Sequence, residues 1–291
     1  MIKFIQLLMT GVAVGLIYGL MALGFVLIYK ASKIFNFAQG EMVMVGSFLA
    51  WTFVGLFHLP ILPGLLIAFL IAGVVGYFLE RFPFRPMIGQ PILAIIMMTL
   101  ALAVFMRGFA ILLWAEHIGI KFPSFIPEKT IYILQAPISS VILWSLILVL
   151  TLVVVLSLFF RYTRTGLHMR AAAESHQLSQ SMGIRVTKAI AQSWAIAAVV
   201  SAIGGFLLGY VRGIDFGLAE LGLIAIVAAL VGGLESFNGA ILGGVIIGVA
   251  ETFTGGYIGR GLREVVPFIV MVLVLFYKPY GLFGLEEIER V

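Results

Sequence analysis

The chain has 291 residues, of which 62% are hydrophobic and only 11% are charged, with a net charge of +5 and no cysteine. Soluble domains carry about 25% charged residues, so this composition excludes a soluble protein. The lack of cysteine excludes disulfides, thiolate metal sites and cysteine nucleophiles. The excess of Lys and Arg lies in loops between apolar segments, which fits the positive-inside rule of membrane proteins rather than nucleic-acid binding.

Nine apolar segments follow one another and predict an all-α polytopic bundle of eight or nine spans. They lie at about residues 5–28, 42–57, 61–79, 92–115, 138–160, 189–211, 216–234, 239–254 and 265–277. A lipid-facing span needs about 20 apolar residues, so the short segments on either side of the turns HLP and ESFN are candidates for half-spans. No polar linker divides the chain, and residues 1–291 are predicted to form one integral membrane domain.

The distribution of basic residues predicts the orientation of the chain in the membrane. The loop at about 161–188 holds five Lys and Arg residues against the single acidic residue Glu174, so it is predicted to be cytoplasmic. Counting spans then places the 116–137 segment and the N-terminus outside. Arg260 and Arg263 also fall outside, against the rule.

Two short stretches resemble each other and suggest an inverted repeat around a midplane pathway. Asn36 is followed by Glu41 in NFAQGEM, and Asp215 is followed by Glu220 in DFGLAEL. One interpretation is purely structural, with Asn36 capping the next helix and Gln39 reaching back from the third helical position. The other interpretation makes these five polar residues part of a substrate pathway.

Glycines and isolated charges within the apolar segments have simple structural explanations. Glycines four residues apart predict close helix packing in lipid. These stripes contain Gly11, Gly15, Gly19, Gly205, Gly209, Gly213, Gly239, Gly243, Gly244 and Gly248. Arg107 is predicted to reach the interface from the exit of its span, and Glu251 is predicted to lie at the end of its span. Neither is predicted to contact substrate.

The basic loop contains a predicted helix over Met169–Met182, because this stretch lacks Gly and Pro and is followed by Gly183 as a C-terminal stop. The apolar residues Leu167, Ala171, Leu178 and Met182 are spaced to form one narrow stripe on that helix. A stripe this narrow fits a groove in a partner protein better than a lipid surface.

Four motifs, read in order, carry a resemblance to a known family. RAAAESHQLSQSMGI resembles the EAA-type cytoplasmic loop of ABC transporter permeases. NFAQGEMVMVGSFLAW, VGGLESFNGAILGGVIIG and KPYGLFG are similar to segments of the branched-chain amino acid permeases of that superfamily. The matches cover almost the whole chain, although Glu235 stands where the family pattern has Gly, and the acidic tail LEEIERV matches nothing.

The resemblance implies one permease subunit of an ATP-driven importer of Leu, Ile and Val in a bacterial inner membrane. Its implied partners are a second homologous permease, two cytoplasmic ATPase subunits that hold ATP and Mg²⁺, a periplasmic solute-binding protein and membrane lipid. The chain itself is expected to bind no cofactor, metal or nucleic acid and to catalyse no reaction. The implied coupling helix, which would contact an ATPase subunit, contains Arg170, Ala171, Ala172, Ala173, Glu174, Leu178, Met182 and Gly183.

Other functions remain open at this stage. Permeases for urea and short-chain amides share these motifs. A stand-alone secondary transporter or channel is a further alternative, but it would need ion-coupling carboxylates within the spans, which are scarce, and it leaves the basic loop without a role. The sequence has no Walker loop, HExxH or GxSxG motif, which argues against an ATPase or an intramembrane enzyme.

Overall fold

A computed structural model describes residues 1–87, 89–123, 125, 129–133 and 136–284. This part of the chain forms helices and one β-hairpin. In chain order the helices are α1 (Ile2–Ser32), α2 (Gln39–Trp51), α3 (Ile61–Leu79), α4 (Ile92–Trp114), α5 (Ser140–Tyr162), α6 (Arg164–Glu174), α7 (His176–Ser181), α8 (Val186–Arg212), α9 (Leu218–Gly232), α10 (Phe237–Tyr257), α11 (Arg260–Arg263) and α12 (Val266–Tyr277). A π-helical turn, Thr52–Leu56, extends α2, and the turns Glu80–Phe84 and Arg85–Met87 extend α3.

All nine predicted apolar segments are helical, which confirms the polytopic helical bundle. Within the described ranges, six helices are long and apolar enough to cross a membrane. They are Ile2–Ser32, Ile61–Met87, Ile92–Trp114, Ser140–Tyr162, Val186–Arg212 and Phe237–Tyr257. Of the four half-span candidates, α2 and α9 are short, as expected, whereas α3 with its extension and α10 are long enough to span, so that part of the prediction is wrong. The apolar helix α12 is also short.

The described residues divide into two compact units. The first is drawn from Met1–Val26, Ile126–Val149 and Ile224–Val291, and the second from Leu27–Phe125 and Leu150–Leu223. Both proposed functional regions, the two acidic helix starts and the basic loop, belong to the second unit.

Glycines hold the helices of the first unit together. A Cβ atom added at Gly15 would lie 2.7 Å from the carbonyl oxygen of Gly244 and 2.7 Å from the Cα atom of Val245. One added at Gly19 would lie 2.9 Å from the Cα atom of Ile241. The backbones of α1 and α10 are therefore in direct contact, which confirms the predicted packing role of these stripes.

The segment after α12 completes the end of α9 in the first unit. The amides of Leu282 and Phe283 donate hydrogen bonds of 2.9 and 3.0 Å to the carbonyls of Val231 and Gly232. Gly281 has a φ of +80°, and a Cβ atom there would lie 2.6 Å from the carbonyl oxygen of Leu230. Only glycine combines this backbone conformation with such a close approach. The motif KPYGLFG thus supplies donors for carbonyls that α9 leaves unpaired at its end.

The second unit is built around α8. A Cβ atom at Gly76 of α3 would lie 2.6 Å from the carbonyl oxygen of Trp194, and one at Gly46 of α2 would clash with the Cα atom of Ala202. The buried indole ring of Trp194 also stacks on Phe84, with 4.5 Å between ring centroids. Small residues on three helices thus allow α2 and α3 to pack directly against α8.

A β-hairpin lies in the segment predicted to face outside, and the sequence patterns did not indicate it. Strands β1 (Thr130–Ile133) and β2 (Ala136–Ser139) pair antiparallel, with Thr130 opposite Ser139. The acidic tail at 285–291 lies outside the described residues.

Candidate functional site

Asn36 forms a turn before α2, and the predicted capping box is wrong. Its Oδ1 atom accepts a hydrogen bond of 3.1 Å from the amide of Ala38, two residues ahead. Helix α2 begins at Gln39 with Ala38 as its N-cap, and no side chain caps it. Gln39 is therefore the first helical residue rather than the third, so it cannot reach back as a capping box requires.

Buried polar side chains fix this helix start instead. The Nε2 atom of Gln39 donates a hydrogen bond of 2.7 Å to the Oγ atom of Ser201 in α8. Asn36 Nδ2 lies 3.4 Å from both Gln39 Oε1 and the Sδ atom of Met42. Asn36, Gln39 and Ser201 are all fully buried. Because buried polar groups are costly unless they are paired, this network holds the first turn of α2 in one position. The sequence patterns did not indicate the contribution of Ser201.

Asp215 forms the same turn before α9. Its Oδ1 atom accepts a hydrogen bond of 2.7 Å from the amide of Gly217, again two residues ahead. Helix α9 begins at Leu218, three residues after Asp215, just as α2 begins three residues after Asn36. Glu220 then occupies the first turn of α9, as Glu41 does in α2. The predicted likeness of the two helix starts is confirmed at this local level, while their inverted orientation in the membrane stays a prediction.

The structure brings the two helix starts into contact. Gly40 and Gly222 approach so closely that a Cβ atom on Gly222 would lie 2.6 Å from the Cα atom of Gly40. A Cβ atom on Gly40 would in turn clash with the carbonyl oxygen of Ala219. The neighbouring residues Glu41 and Glu220 are consequently held near each other, and their carboxylates interact electrostatically.

Arg107 completes this acidic region, and the prediction that it merely reaches the interface is wrong. Its Nε atom lies 3.2 Å from Oε1 of Glu41, and its NH2 group lies 3.5 Å from the carbonyl oxygen of Phe216. The Glu41 side chain is 11% exposed and that of Arg107 is 40% exposed. The other carboxylate oxygen of Glu41 is buried without a hydrogen-bond partner among the described residues. Arg107 thus joins the start of α2, the middle of α4 and the residues before α9.

An aromatic cluster lies beside the ion pair. The ring of Phe48 stacks on Trp114 and packs against Phe216, with 5.2 Å between centroids in each pair. The indole nitrogen of Trp114 donates a hydrogen bond of 2.9 Å to Thr52 Oγ1. The region therefore combines charges of both signs with a wall of apolar rings.

The predicted position of Glu251 is also wrong. It lies inside α10 rather than at the end of a span, and it is 3% exposed. Its Oε1 atom accepts a hydrogen bond of 2.8 Å from Nε of Arg263. This pair belongs to the first unit and explains why a carboxylate is tolerated in an apolar helix.

The basic loop forms two helices, so the prediction of one continuous helix over Met169–Met182 is wrong. Ser175 has an extended backbone, with φ −155° and ψ 116°, and it separates α6 from α7. Its Oγ atom accepts a hydrogen bond of 3.2 Å from the amide of Leu178 and thereby caps α7. Thr163 caps α6 in the same manner by accepting a bond of 3.0 Å from the amide of Gly166. Ser and Thr compete well for such positions, which is why the chain breaks here without Gly or Pro.

The predicted stop at Gly183 is confirmed. Gly183 has a φ of +79°, its amide bonds to the carbonyl of Gln180, and the amide of Ile184 bonds to that of Ser179, each at 2.9 Å. This pair of bonds is a Schellman motif. These two hydrogen bonds, together with the positive φ of Gly183, therefore end α7.

The predicted coupling residues differ in exposure. Ala172 is buried, and Ala171 and Ala173 are half-buried, so they serve to pack the segment against its own unit. The other five predicted residues are exposed, and we call this set the exposed row. The exposed positions are Arg170, Glu174, Leu178, Met182 and Gly183.

Residues 7–275 match the family described as branched-chain amino acid transport system / permease component. The chain is 32% identical to the high-affinity branched-chain amino acid transport system permease protein BraD of Pseudomonas aeruginosa, over 99% of this chain and 98% of that protein. It is 30% identical to the corresponding protein LivH of Salmonella typhimurium over the same shares. A probable branched-chain amino acid transport permease of Methanocaldococcus jannaschii is 29% identical, over 92% and 88% of the two chains.

Among solved structures, one chain of the PsaBC–Fab complex from Streptococcus pneumoniae has a similar fold. The TM-score is 0.50 with 14% sequence identity, and the match covers 96% of this chain and 92% of that chain. At this identity the similarity concerns the fold alone. The family match covers most of the sequence, and the structure contains the membrane-spanning helices that such a protein requires. The chain is a multi-pass membrane protein that belongs to the branched-chain amino acid transport system permease family.

Proposed function

We propose that this chain is a permease subunit of an ATP-driven importer for branched-chain amino acids in a bacterial inner membrane. It would form half of the translocation pathway, together with a second homologous permease. Two cytoplasmic ATPase subunits would supply ATP hydrolysis with their own ATP and Mg²⁺, and a periplasmic solute-binding protein would deliver the substrate. Family membership, with relatives that carry this substrate in their names, supports the choice of branched-chain amino acids.

The exposed row on α6 and α7 is the observation that carries the ATP-driven part of the proposal. Leu178 is 62% exposed and Met182 is 75% exposed, although both are large and apolar. Glu174 ends α6 on the other side of the break at Ser175. Exposed apolar side chains beside a charge on a capped helical segment are typical of a protein interface. We assign this face to the groove of an ATPase subunit.

The region around Glu41 supports the pathway part of the proposal. A branched-chain amino acid carries one carboxylate, one ammonium group and an aliphatic side chain. Arg107 is partly exposed beside the carboxylate of Glu41, Glu220 lies near Glu41, and the rings of Phe48 and Phe216 lie nearby. Such a surface offers both charges and an apolar wall to a zwitterion without forming a tight site, which suits a conduit that must release its substrate. The pathway would thus include Glu41, Asp215 and Glu220, with Arg107 added. Asn36 and Gln39, which are fully buried, would belong to it by fixing the position of Glu41.

The coupling role is tested by changing the charge of two residues in the exposed row, Leu178 and Glu174. The variant Leu178→Glu places a charge where the proposal has an apolar contact, and Glu174→Lys reverses the charge at the end of α6. We expect both variants to lose co-purification with the ATPase subunit or to hydrolyse ATP without moving leucine into proteoliposomes. The matched control is Gln180→Glu, which adds the same charge at another exposed position of α7.

Normal assembly and normal coupling of Leu178→Glu would contradict the proposal. Leucine uptake by the chain without any ATPase subunit would favour a stand-alone transporter. Uptake of urea or short-chain amides in place of leucine, with intact coupling, would keep the importer and change its substrate.

A further inference from the structure

A cavity of about 450 Å³ lies between the start of α6, the turn after α7 and the first two turns of α8. This volume falls within the range of about 300–1,000 Å³ that is usual for small-molecule sites. Three of its lining residues are strongly basic: Arg164, Arg185 and Lys188. His168 and Gln192 add polar groups, and among the residues that the structure describes no carboxylate lines the cavity.

The positive charge of this cavity is not neutralised. Throughout the described ranges, no carboxylate forms an ion pair with Arg164, Arg185 or Lys188. The first turn of α8 adds to this positive potential, because it contains no acidic residue and its N-cap, Arg185, makes no side-chain cap. Acidic residues usually occupy such helix starts, so the basic residues here make the potential stronger rather than weaker.

The position of the cavity along the chain indicates the depth at which it lies. Arg164 follows the end of the apolar helix α5 by two residues, and Lys188 is the third residue of the apolar helix α8. Both α5 and α8 are long and apolar enough to cross a membrane. The cavity therefore lies where two spans leave the hydrocarbon, which is the level of lipid head groups.

We propose that this cavity binds the phosphate-bearing head group of an anionic membrane lipid. Arg164 and Arg185 offer forked N–H donors that suit phosphate oxygens, and Lys188 offers an ammonium group. The acyl chains would extend along the exposed apolar side chains of α5. This inference uses only the cavity, its charges and its depth, and it does not depend on the substrate of transport. Two of the lining residues, Met182 and Gly183, also belong to the exposed row, so ATPase binding is measured together with lipid binding.

The test is a titration of the full chain in a neutral detergent with short-chain phosphatidylglycerol, read by thermal unfolding and by native mass spectrometry. We expect a saturable rise in the midpoint of unfolding and retention of about one lipid for each chain. The triple variant Arg164→Gln/Arg185→Gln/Lys188→Gln is expected to lower the apparent affinity about a hundredfold. The single variant Lys188→Gln gives a smaller loss of affinity and serves if the triple variant unfolds.

The matched control is Arg81→Gln/Arg161→Gln/Lys278→Gln, which removes the same charge from exposed basic residues that do not line the cavity. Equal loss of affinity in this control would overturn the proposal, since it would show diffuse attraction rather than a site. Equal stabilisation by short-chain phosphatidylcholine or by inorganic phosphate would also overturn it. Loss of ATPase binding in the triple variant, with lipid binding unchanged, would assign the cavity to a protein interface and overturn it as well.

Discussion

The carboxylate of Glu41 and the guanidinium group of Arg107 connect α2 to α4 through an ion pair in which 3.2 Å separates Oε1 from Nε. The two partners are unequally buried, because the Glu41 side chain is 11% exposed and that of Arg107 is 40% exposed. A buried charge that loses its partner is strongly destabilising, whereas a long cation can turn its charged end outward. Loss of the Arg107 charge is therefore expected to destabilise the protein more than loss of the Glu41 charge.

We expect Arg107→Gln to lower the free energy of unfolding by roughly 3 kcal/mol, because it leaves Glu41 charged and buried. Glu41→Gln should cost about 1 kcal/mol or less, because Arg107 can reach solvent or head groups. The measurement is the midpoint of thermal unfolding of the purified protein. Arg81→Gln, at an exposed arginine, serves as the control and should be nearly neutral. Equal losses for the two single variants would show that the burial of Glu41 does not determine the energetics.

The close contact of α1 with α10 at Gly15 leads to a second prediction. Gly15→Ala places a methyl group 2.7 Å from backbone atoms of α10, where neither helix can yield without moving as a whole. We expect a loss of folded protein, measured as the monodisperse fraction in size-exclusion chromatography. Gly108→Ala is the control, because no atom of the described part of the chain lies within 4 Å of a Cβ atom at that position of α4. The control should be neutral or more stable by up to about 1 kcal/mol, the helix preference of Ala over Gly. An unaffected Gly15→Ala variant would mean that α1 and α10 do not pack through this glycine.

The break between α6 and α7 depends on the side chain of Ser175. Ser175→Ala removes the hydrogen bond to the amide of Leu178 at a cost of about 1 kcal/mol. We expect amide hydrogen exchange in α7 to become about fivefold faster, as measured by mass spectrometry of peptides that cover residues 176–181. The comparison is Ser181→Ala, which removes a hydroxyl from the same helix but no cap. Faster exchange in both variants alike would argue against a specific capping role.

The two turns that precede α2 and α9 make a fourth prediction, about uptake. Asn36→Leu and Asp215→Leu each remove the acceptor that forms the turn, so the following helix start loses its fixed position. We expect uptake of radiolabelled leucine to fall at least tenfold for either variant in the assembled importer. Asp215→Asn keeps the acceptor and should retain uptake, which separates the geometry of the turn from the charge. Normal uptake by both Leu variants, with assembly confirmed by co-purification, would remove these turns from the pathway.

Sequence patterns predicted the larger elements well because the hydrophobic period and the glycine spacing are local signals. The nine apolar segments, the stop at Gly183 and the likeness of Asn36 and Asp215 could all be predicted from neighbouring residues. The failures share a different cause. Arg107 and Glu251 were misinterpreted because the partner of each charge lies in another helix or beyond a turn, and hydropathy alone does not show which charges meet.

The helix break at Ser175 shows a second limit of the sequence. Leu167, Ala171, Leu178 and Met182 have helical spacing across the break, so the pattern favoured one helix. Ser175 can lie within a helix or cap a new one, and the choice depends on whether the following amides have other partners. The contact between Gly40 and Gly222 could not be predicted from the sequence either, because it joins two helix starts that are far apart in the chain.

The hydrogen bonds from Leu282 and Phe283 to the end of α9 have a consequence for how the chain matures. The last carbonyls of α9 receive these donors only after the ribosome has translated α10, α11 and α12. Until then the carbonyls of Val231 and Gly232 at the end of α9 lack these two donors. An insertion between Tyr277 and Gly281 is therefore expected to prolong exposure of that end to quality-control proteases, even though it touches none of the spans.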